Sequence, residues 1–311
     1  VSFFIIAVSI LTLFYSYIGW RLIRPAKFSL FWNVILWMIL ALFMCMTPVS
    51  LLLKTYGFGV FWSDILSWIA YLNLGFFSLV FSFLIIKDLI LIVTCVIRKS
   101  HSFFRCKIIP DALPAEPVAP ARRHFIVNSI NLGILCASGT LAGYGLYEAR
   151  RRPCIVKVSV PVPNLPDDLE GFRIVQITDI HIGPTIKRAY VQTIVDQVNK
   201  LKPDVIVLTG DLADGGVETH RDDVAPLGAL SAPYGSYFVT GNHEYYSGVE
   251  TWIKKMEQLG FVVLLNEHRI IKCGSGRILM AGVTDYNAGR FLADHVSDPD
   301  MALFRAPASN V

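Results

Sequence analysis

Four long apolar runs fill the first half of this 311-residue chain and leave few options for how it can fold. Residues 1–20, 28–53, 65–86 and 125–147 carry no charged side chain, and about 20 apolar residues in a helix suffice to cross a hydrocarbon core about 30 Å thick. With 54% hydrophobic residues and a mean hydropathy of +0.52, the chain is too apolar for an ordinary soluble domain of this length. The excess lies before residue 150, so we read residues 1–149 as a membrane region of about four transmembrane helices.

The fourth run is the least apolar, because Asn128, Ser129 and Asn131 interrupt it. Arg122-Arg123-His124 precedes it, so a retained twin-arginine-type targeting stretch is a second reading, and both place it in the bilayer. After Lys87 and Asp88, the apolar segment 89–97 is too short to span alone and is expected to prolong the third helix at the interface. The first, second and fourth runs hold no ionisable residue, so the spans read as an anchor and not as a transport path.

Basic residues concentrate in cytoplasmic loops. Arg21, Arg24 and Lys27 follow the first run, Lys54 alone follows the second, and Arg98, Lys99, Arg105, Lys107, Arg122 and Arg123 follow the third. This alternation predicts a multi-pass protein whose C-terminal domain lies outside the cytoplasm, although Arg150, Arg151 and Arg152 oppose it. Pro110, Pro114, Pro117 and Pro120 mark 108–121 as an irregular loop.

A net charge of +4, most of it flanking the apolar runs, gives no case for nucleic acid as a partner. No C-x-x-C occurs among the six cysteines, so zinc-ribbon and redox chemistry are not indicated. Cys154 and Cys273 lie in the hydrophilic half, where an oxidising compartment would permit a disulfide that spacing alone cannot establish.

From residue 155 onward the pattern changes. Alternation and β-branched enrichment predict strands at 154–160, 172–178, 205–209, 237–240, 261–265, 268–273 and 277–283, and helical spacing predicts helices over 186–201 and 248–259. The result is an α/β domain at 155–311. Three blocks, Asp179-Ile180-His181, Gly210-Asp211-Leu212-Ala213-Asp214 and Gly241-Asn242-His243-Glu244, each follow an apolar strand. Ligand residues in open α/β sheets gather at such strand ends. A lone Asp-x-His or Gly-Asp is usually a turn; the ordered succession of all three points to a metal site.

These blocks resemble the calcineurin-like metallophosphoesterase superfamily, whose D-x-H, G-D-x-x-D and G-N-H-[DE] pattern is matched without substitution. ITDIHIGP, VLTGDLADG and VTGNHEYY resemble its membrane-anchored branch of small phosphoesterases. The resemblance covers roughly Ile155 to the C-terminus and implies an αββα sandwich. It also implies two divalent ions, Mn, Fe or Zn. Asp179 and His181 would hold the first, Asp211 would bridge the two as a catalytic ligand, and Asn242 would hold the second. His243 would be a general acid or cationic clamp and not a ligand. Asp214 is expected to fix the loop or to hydrogen-bond to ligands. Glu244, Tyr245 and Tyr246 stand open between packing and site roles, His220, His268 and His295 read as surface or packing residues, and Asp285 has no assigned role.

The family's later isolated His and G-H-x-H, which supply further ligands, do not occur here. Together with the Val1 start, this reads as a chain cut at both ends and a sandwich incomplete at its C-terminus. In that case the chain as it stands is expected to hold fewer than two tightly bound metals and to have little phosphodiesterase activity. The function implied is hydrolysis of phosphomonoesters or phosphodiesters by a hydroxide held between two metals; the alternative is a catalytically inactive metal-binding membrane sensor. A predicted strand beginning at 154 leaves about 8 residues after Tyr147, at most about 30 Å. Such a tether favours lipid-linked or envelope phosphates as substrate, with the lipid bilayer as the other partner.

Overall fold

The computed structural model describes residues 2–55, 60–106 and 120–307. It divides into two compact units, Val1–Arg151 and Arg152–Val311. Among the described residues the first unit contains four helices: α1 (Ser2–Ala26), α2 (Leu30–Thr55), α3 (Val60–Cys106) and α4 (Pro120–Arg150). Each holds a stretch long and apolar enough to cross a membrane. Apolar residues such as Ile6, Leu13, Phe31 and Leu132 are exposed on the bundle surface, the arrangement a hydrocarbon solvent permits and water does not.

Inside the bundle, Tyr15, Ile18, Leu40, Val80 and Leu84 are buried between helices. Gly19 lets α1 and α2 approach closely, because a Cβ there would fall 2.6 Å from the Trp37 ring. Between them the chain turns at Lys27, whose φ of 52° is left-handed. The third helix does run on through Lys87 and Asp88, as the short 89–97 segment led us to expect. One expectation changes: Arg21 and Arg24 lie within α1 and not in a loop, and Arg21 turns inward to pair with Asp88. The proline-rich 108–121 stretch, apart from Pro120 and Ala121 at the start of α4, lies outside the described residues.

The second unit is built on four parallel strands in sequence order: β1 (Ile174–Ile177), β2 (Val205–Thr209), β3 (Ser236–Val239) and β4 (Phe261–Val263). The connections carry α5 (Arg188–Lys200), α6 (Val217–Val224), and α7 (Asn242–Ser247) with α8 (Val249–Gln258). Val191, Ile194, Val195 and Val198 form one buried stripe of α5 at helical spacing. Alternation along β2 then separates the two faces of the sheet: Ile206 and Leu208 pack toward the helices, whereas Val205 and Val207 meet a second β layer. That layer is the antiparallel hairpin of β5 (Glu267–Cys273) and β6 (Gly276–Gly282), on which the short α9 (Pro299–Ala302) rests. A helical layer, a parallel sheet and a β layer are thus present, with α9 packed against the β layer.

The expected strand at 154–160 is not one. Ile155, Val156, Val158 and Val160 are exposed and pair with no ladder, because β-propensity stabilises a strand only against a neighbouring edge. The ordered domain begins instead at the 3₁₀ turn Asp167–Leu169, where Asp168 accepts hydrogen bonds from the Ser275 backbone nitrogen (2.6 Å) and Oγ (2.7 Å) at the hairpin tip. The tether after α4 is therefore longer than the sequence pattern indicated. Cys154 and Cys273 are both free thiols.

Trp252 anchors the helical layer to the loops above the sheet. It is fully buried, and its Nε1 donates to the Gly215 carbonyl and to Ser247 Oγ, both at 3.1 Å. Trp252→Ala is expected to cost about 3–5 kcal/mol, read as a lowered unfolding temperature of the purified protein in detergent.

Candidate metal centre

β1, β2 and β3 end side by side, and each is followed at once by one of the three chemical blocks. The backbones stay in register past the strands: Asp179 N donates to Gly210 O (3.3 Å), His181 N to Asp211 O (3.1 Å) and Ile182 N to Leu212 O (2.8 Å). Asp179, His181 and Asp211 have φ of 53°, 49° and 51°, a left-handed conformation that non-glycine residues adopt at an energetic cost and that clusters at functional sites. Gly210 and Gly241 lie backbone against backbone; a Cβ on either would overlap the other loop. That close contact carries the Asp211 and Asn242 side chains to one point.

Glu244 locks the two loops together. Its side chain is fully buried and accepts from three backbone nitrogens: Asp211 (3.1 Å), Leu212 (2.8 Å) and Gly241 (2.7 Å). Burial pushes its carboxyl above the usual 4.5, and the three N–H donors oppose that shift.

Asp214 sits in the middle of the site. Its Oδ1 lies 2.8 Å from His181 Nδ1 and 2.8 Å from His243 Nδ1, and the two rings meet edge to face at 4.5 Å between centroids. One carboxylate thus orients two imidazoles and leaves each Nε2 available. The Asp211 carboxylate accepts from His243 N (3.0 Å). It also adjoins the Asn242 amide, which in its better-satisfied orientation lies 3.1 and 3.0 Å from the two Asp211 oxygens and accepts from Tyr246 Oη at 3.1 Å. His181, Asp211 and His243 can offer ligand atoms all within 4.8 Å of one another. Asp179, with a 60% exposed side chain, stands 3.8 Å from His181 Nε2.

Of the four expected ligands, His181 and Asp211 fall in one group with His243, Asp179 adjoins His181, and Asn242 adjoins Asp211. Carboxylates and imidazole suit Mn, Fe or Zn, and Asn242 would add its amide oxygen on turning it from Tyr246 toward Asp211. The converging carboxylates of Asp179, Asp211 and Asp214 provide the negative charge that cations would neutralise. Burial lowers the His181 pKa from 6.5, yet the hydrogen bond to Asp214 and the charges of Asp214, Asp211 and Asp179 more than reverse this and leave it raised.

Sequence reasoning assigned Asp214 only a supporting part, and its grip on both histidines was not legible. Nor was the choice between packing and site for Glu244, which serves the loops by being buried. His295 donates or accepts at Tyr245 Oη (2.9 Å), and His220 is buried beside Asp223. Asp285 accepts from Asn287 N (2.9 Å), closing a turn.

Glu244→Gln keeps the shape but cannot satisfy three N–H donors with one oxygen. It is expected to cost about 1–3 kcal/mol and to weaken metal affinity, measured by thermal unfolding and metal titration. In metal-free protein the His181–Asp214 pair contributes stability that is full below the unfolded value near 6.5 and is lost as pH rises through the raised folded value. Metal addition should then release a proton from His181 near that folded value and none well above it, a difference calorimetry in buffers of unlike ionisation enthalpy would read.

Comparison with known proteins agrees with this geometry. Residues 172–300 match the calcineurin-like phosphoesterase family. The chain is 42% identical over 158 residues to a transmembrane protein with metallophosphoesterase domain from Danio rerio, covering 50% of this chain and 36% of that one. It is 43% identical over 155 residues to the protein of the same description from Bos taurus, covering 48% and 35%. An uncharacterized metallophosphoesterase of Helicobacter pylori strain J99 is 33% identical over 193 residues, covering 61% and 49%. The chain thus spans about a third to a half of the length of these relatives, and no solved structure matches it. Four apolar helices and relatives named as transmembrane proteins point to membrane integration. The chain joins that helical region to a domain whose residues 172–300 match the calcineurin-like phosphoesterase family.

Proposed function

We propose that this chain is a membrane-anchored, metal-dependent phosphoester hydrolase. The observation that carries the reading is Asp214 holding His181 and His243 beside the Asp211 carboxylate at the ends of three adjacent strands. Asp179 and His181 would hold one divalent cation, Asn242 a second, and Asp211 both, since a carboxylate has two oxygens with lone pairs enough for two partners. Bound cations supply Lewis acidity and charge neutralisation toward a phosphoryl group.

The chain's own groups supply the rest. Asp214 holds His243 at Nδ1 and leaves Nε2 unobstructed, so a protonated ring would give its Nε2 proton to a departing alkoxide. With side-chain exposures of 30% for His243 and 37% for His181, both rings are open to a substrate from solvent. Glu244 and the paired glycines keep the loops from shifting as charge changes. Anchoring favours substrates at a membrane surface, lipid-linked or envelope phosphates among them, and the basic helix ends favour a catalytic domain outside the cytoplasm.

Asp211→Asn is expected to abolish most hydrolysis and to lower metal content, because it withdraws the charge shared by the site. His243→Ala should retain metal and should slow esters with poor leaving groups by about 100- to 10,000-fold, with far less effect on nitrophenyl esters. Equal metal loss in both variants would make His243 a ligand. Metal retained with no turnover on any ester would favour the inactive sensor.

Sidedness has its own test. A reporter enzyme active only outside the cytoplasm should be active when fused after Lys157 and silent when fused after Lys27. Reversed activities would place the domain in the cytoplasm.

A further inference from the structure

At the end of the bundle where α1 stops and α4 starts, the helices leave a groove. α2 and α4 each pack on α1, whereas α2 and α4 do not pack closely on one another. The space between them encloses about 400 Å³. Leu22, Ala26, Leu36, Ile39, Leu132 and Leu135 give it apolar walls, and Asn128 and Asn131 are its polar end.

Behind that polar end lies a charged cluster. Lys87 Nζ donates to Asn131 Oδ1 (2.8 Å), and Asn131 Nδ2 donates to the Arg21 carbonyl (3.0 Å). Asp88 is buried, pairs with Arg21 and accepts from Tyr17 Oη at 2.6 Å. Two cations therefore face one anion. Among the described residues, Arg21 Nε and Asp88 Oδ1 are both buried without a hydrogen-bond partner, so it is the excess of cations over anions, and not one unmet donor, that characterises the cluster. Exposed Arg24, Lys27, Arg122 and Arg123 rim the same end, and Asp88 is its one acidic residue among those described.

We propose that this groove binds one anionic phospholipid, with an acyl chain along the apolar walls and the phosphate at Asn128 and Asn131, beside the Lys87 ammonium that bonds to Asn131. Charge complementarity selects this occupant: a zwitterionic lipid fits the walls equally but leaves the excess cation uncompensated. Basic pockets between helices on the positively flanked side of a membrane bind anionic headgroups on the same grounds. The proposal is independent of the phosphoesterase reading, because no residue of the metal centre takes part.

The test is native mass spectrometry of the full chain, delipidated in detergent and titrated with phosphatidylglycerol or phosphatidylcholine. Wild type should retain one phosphatidylglycerol in preference to phosphatidylcholine. Lys87→Gln should reduce that preference about fivefold, the effect of one cation near a headgroup. Leu132→Trp, which fills the groove, should weaken both lipids, and Arg98→Gln, on the exposed extension of α3, should change neither.

Equal retention of the two lipids by wild type would overturn the proposal, and that comparison needs no variant to fold. An Arg98→Gln loss as large as that of Lys87→Gln would also overturn it, reducing the preference to diffuse surface charge. A lipid-free dimer that Leu132→Trp dissolves would assign the groove to a second copy of the chain instead.

Discussion

The candidate metal centre depends on one buried carboxylate. Glu244 accepts from the second and third backbone nitrogens of the Gly210–Asp214 block and from the first of its own block, so the two loops become one unit. A buried anion is costly unless hydrogen-bonded, and here three N–H groups meet it. Gly210 and Gly241 make the arrangement possible, since no side chain can stand between the loops. The left-handed turns at Asp179, His181 and Asp211 follow from the same packing, because chains leaving parallel strands must bend sharply to place three side chains at one point.

Much of this was legible in the sequence. Parallel strands leave signatures as buried apolar runs, and β2 occupies the very residues expected, 205–209. The metal-binding blocks carry their chemistry in residue types that have few other reasons to follow a strand in that order. Asp214 was harder to place, because its role is set by the distance between two histidines on different loops and no local pattern encodes that distance. Glu244 could not be assigned for the opposite reason: its partners are backbone atoms, which every residue has.

Two readings failed for a common physical cause. The 154–160 segment has strand propensity yet remains exposed and unpaired, and Arg21 follows an apolar run yet is folded inward against Asp88. In both cases a non-local partner, absent in one and present in the other, decided the outcome. Local composition can state what a segment prefers; it cannot state what lies opposite. The shorter tether inferred from the first of these patterns does not hold, so the proposal of membrane-surface substrates rests on anchoring alone.

The most direct test of the phosphoesterase reading is hydrolysis of bis(nitrophenyl) phosphate by the purified protein before chelation, after it, and after return of Mn²⁺. Loss on chelation and recovery with metal is the expected result. Turnover that survives removal of metal, or none when metal is bound, would contradict it.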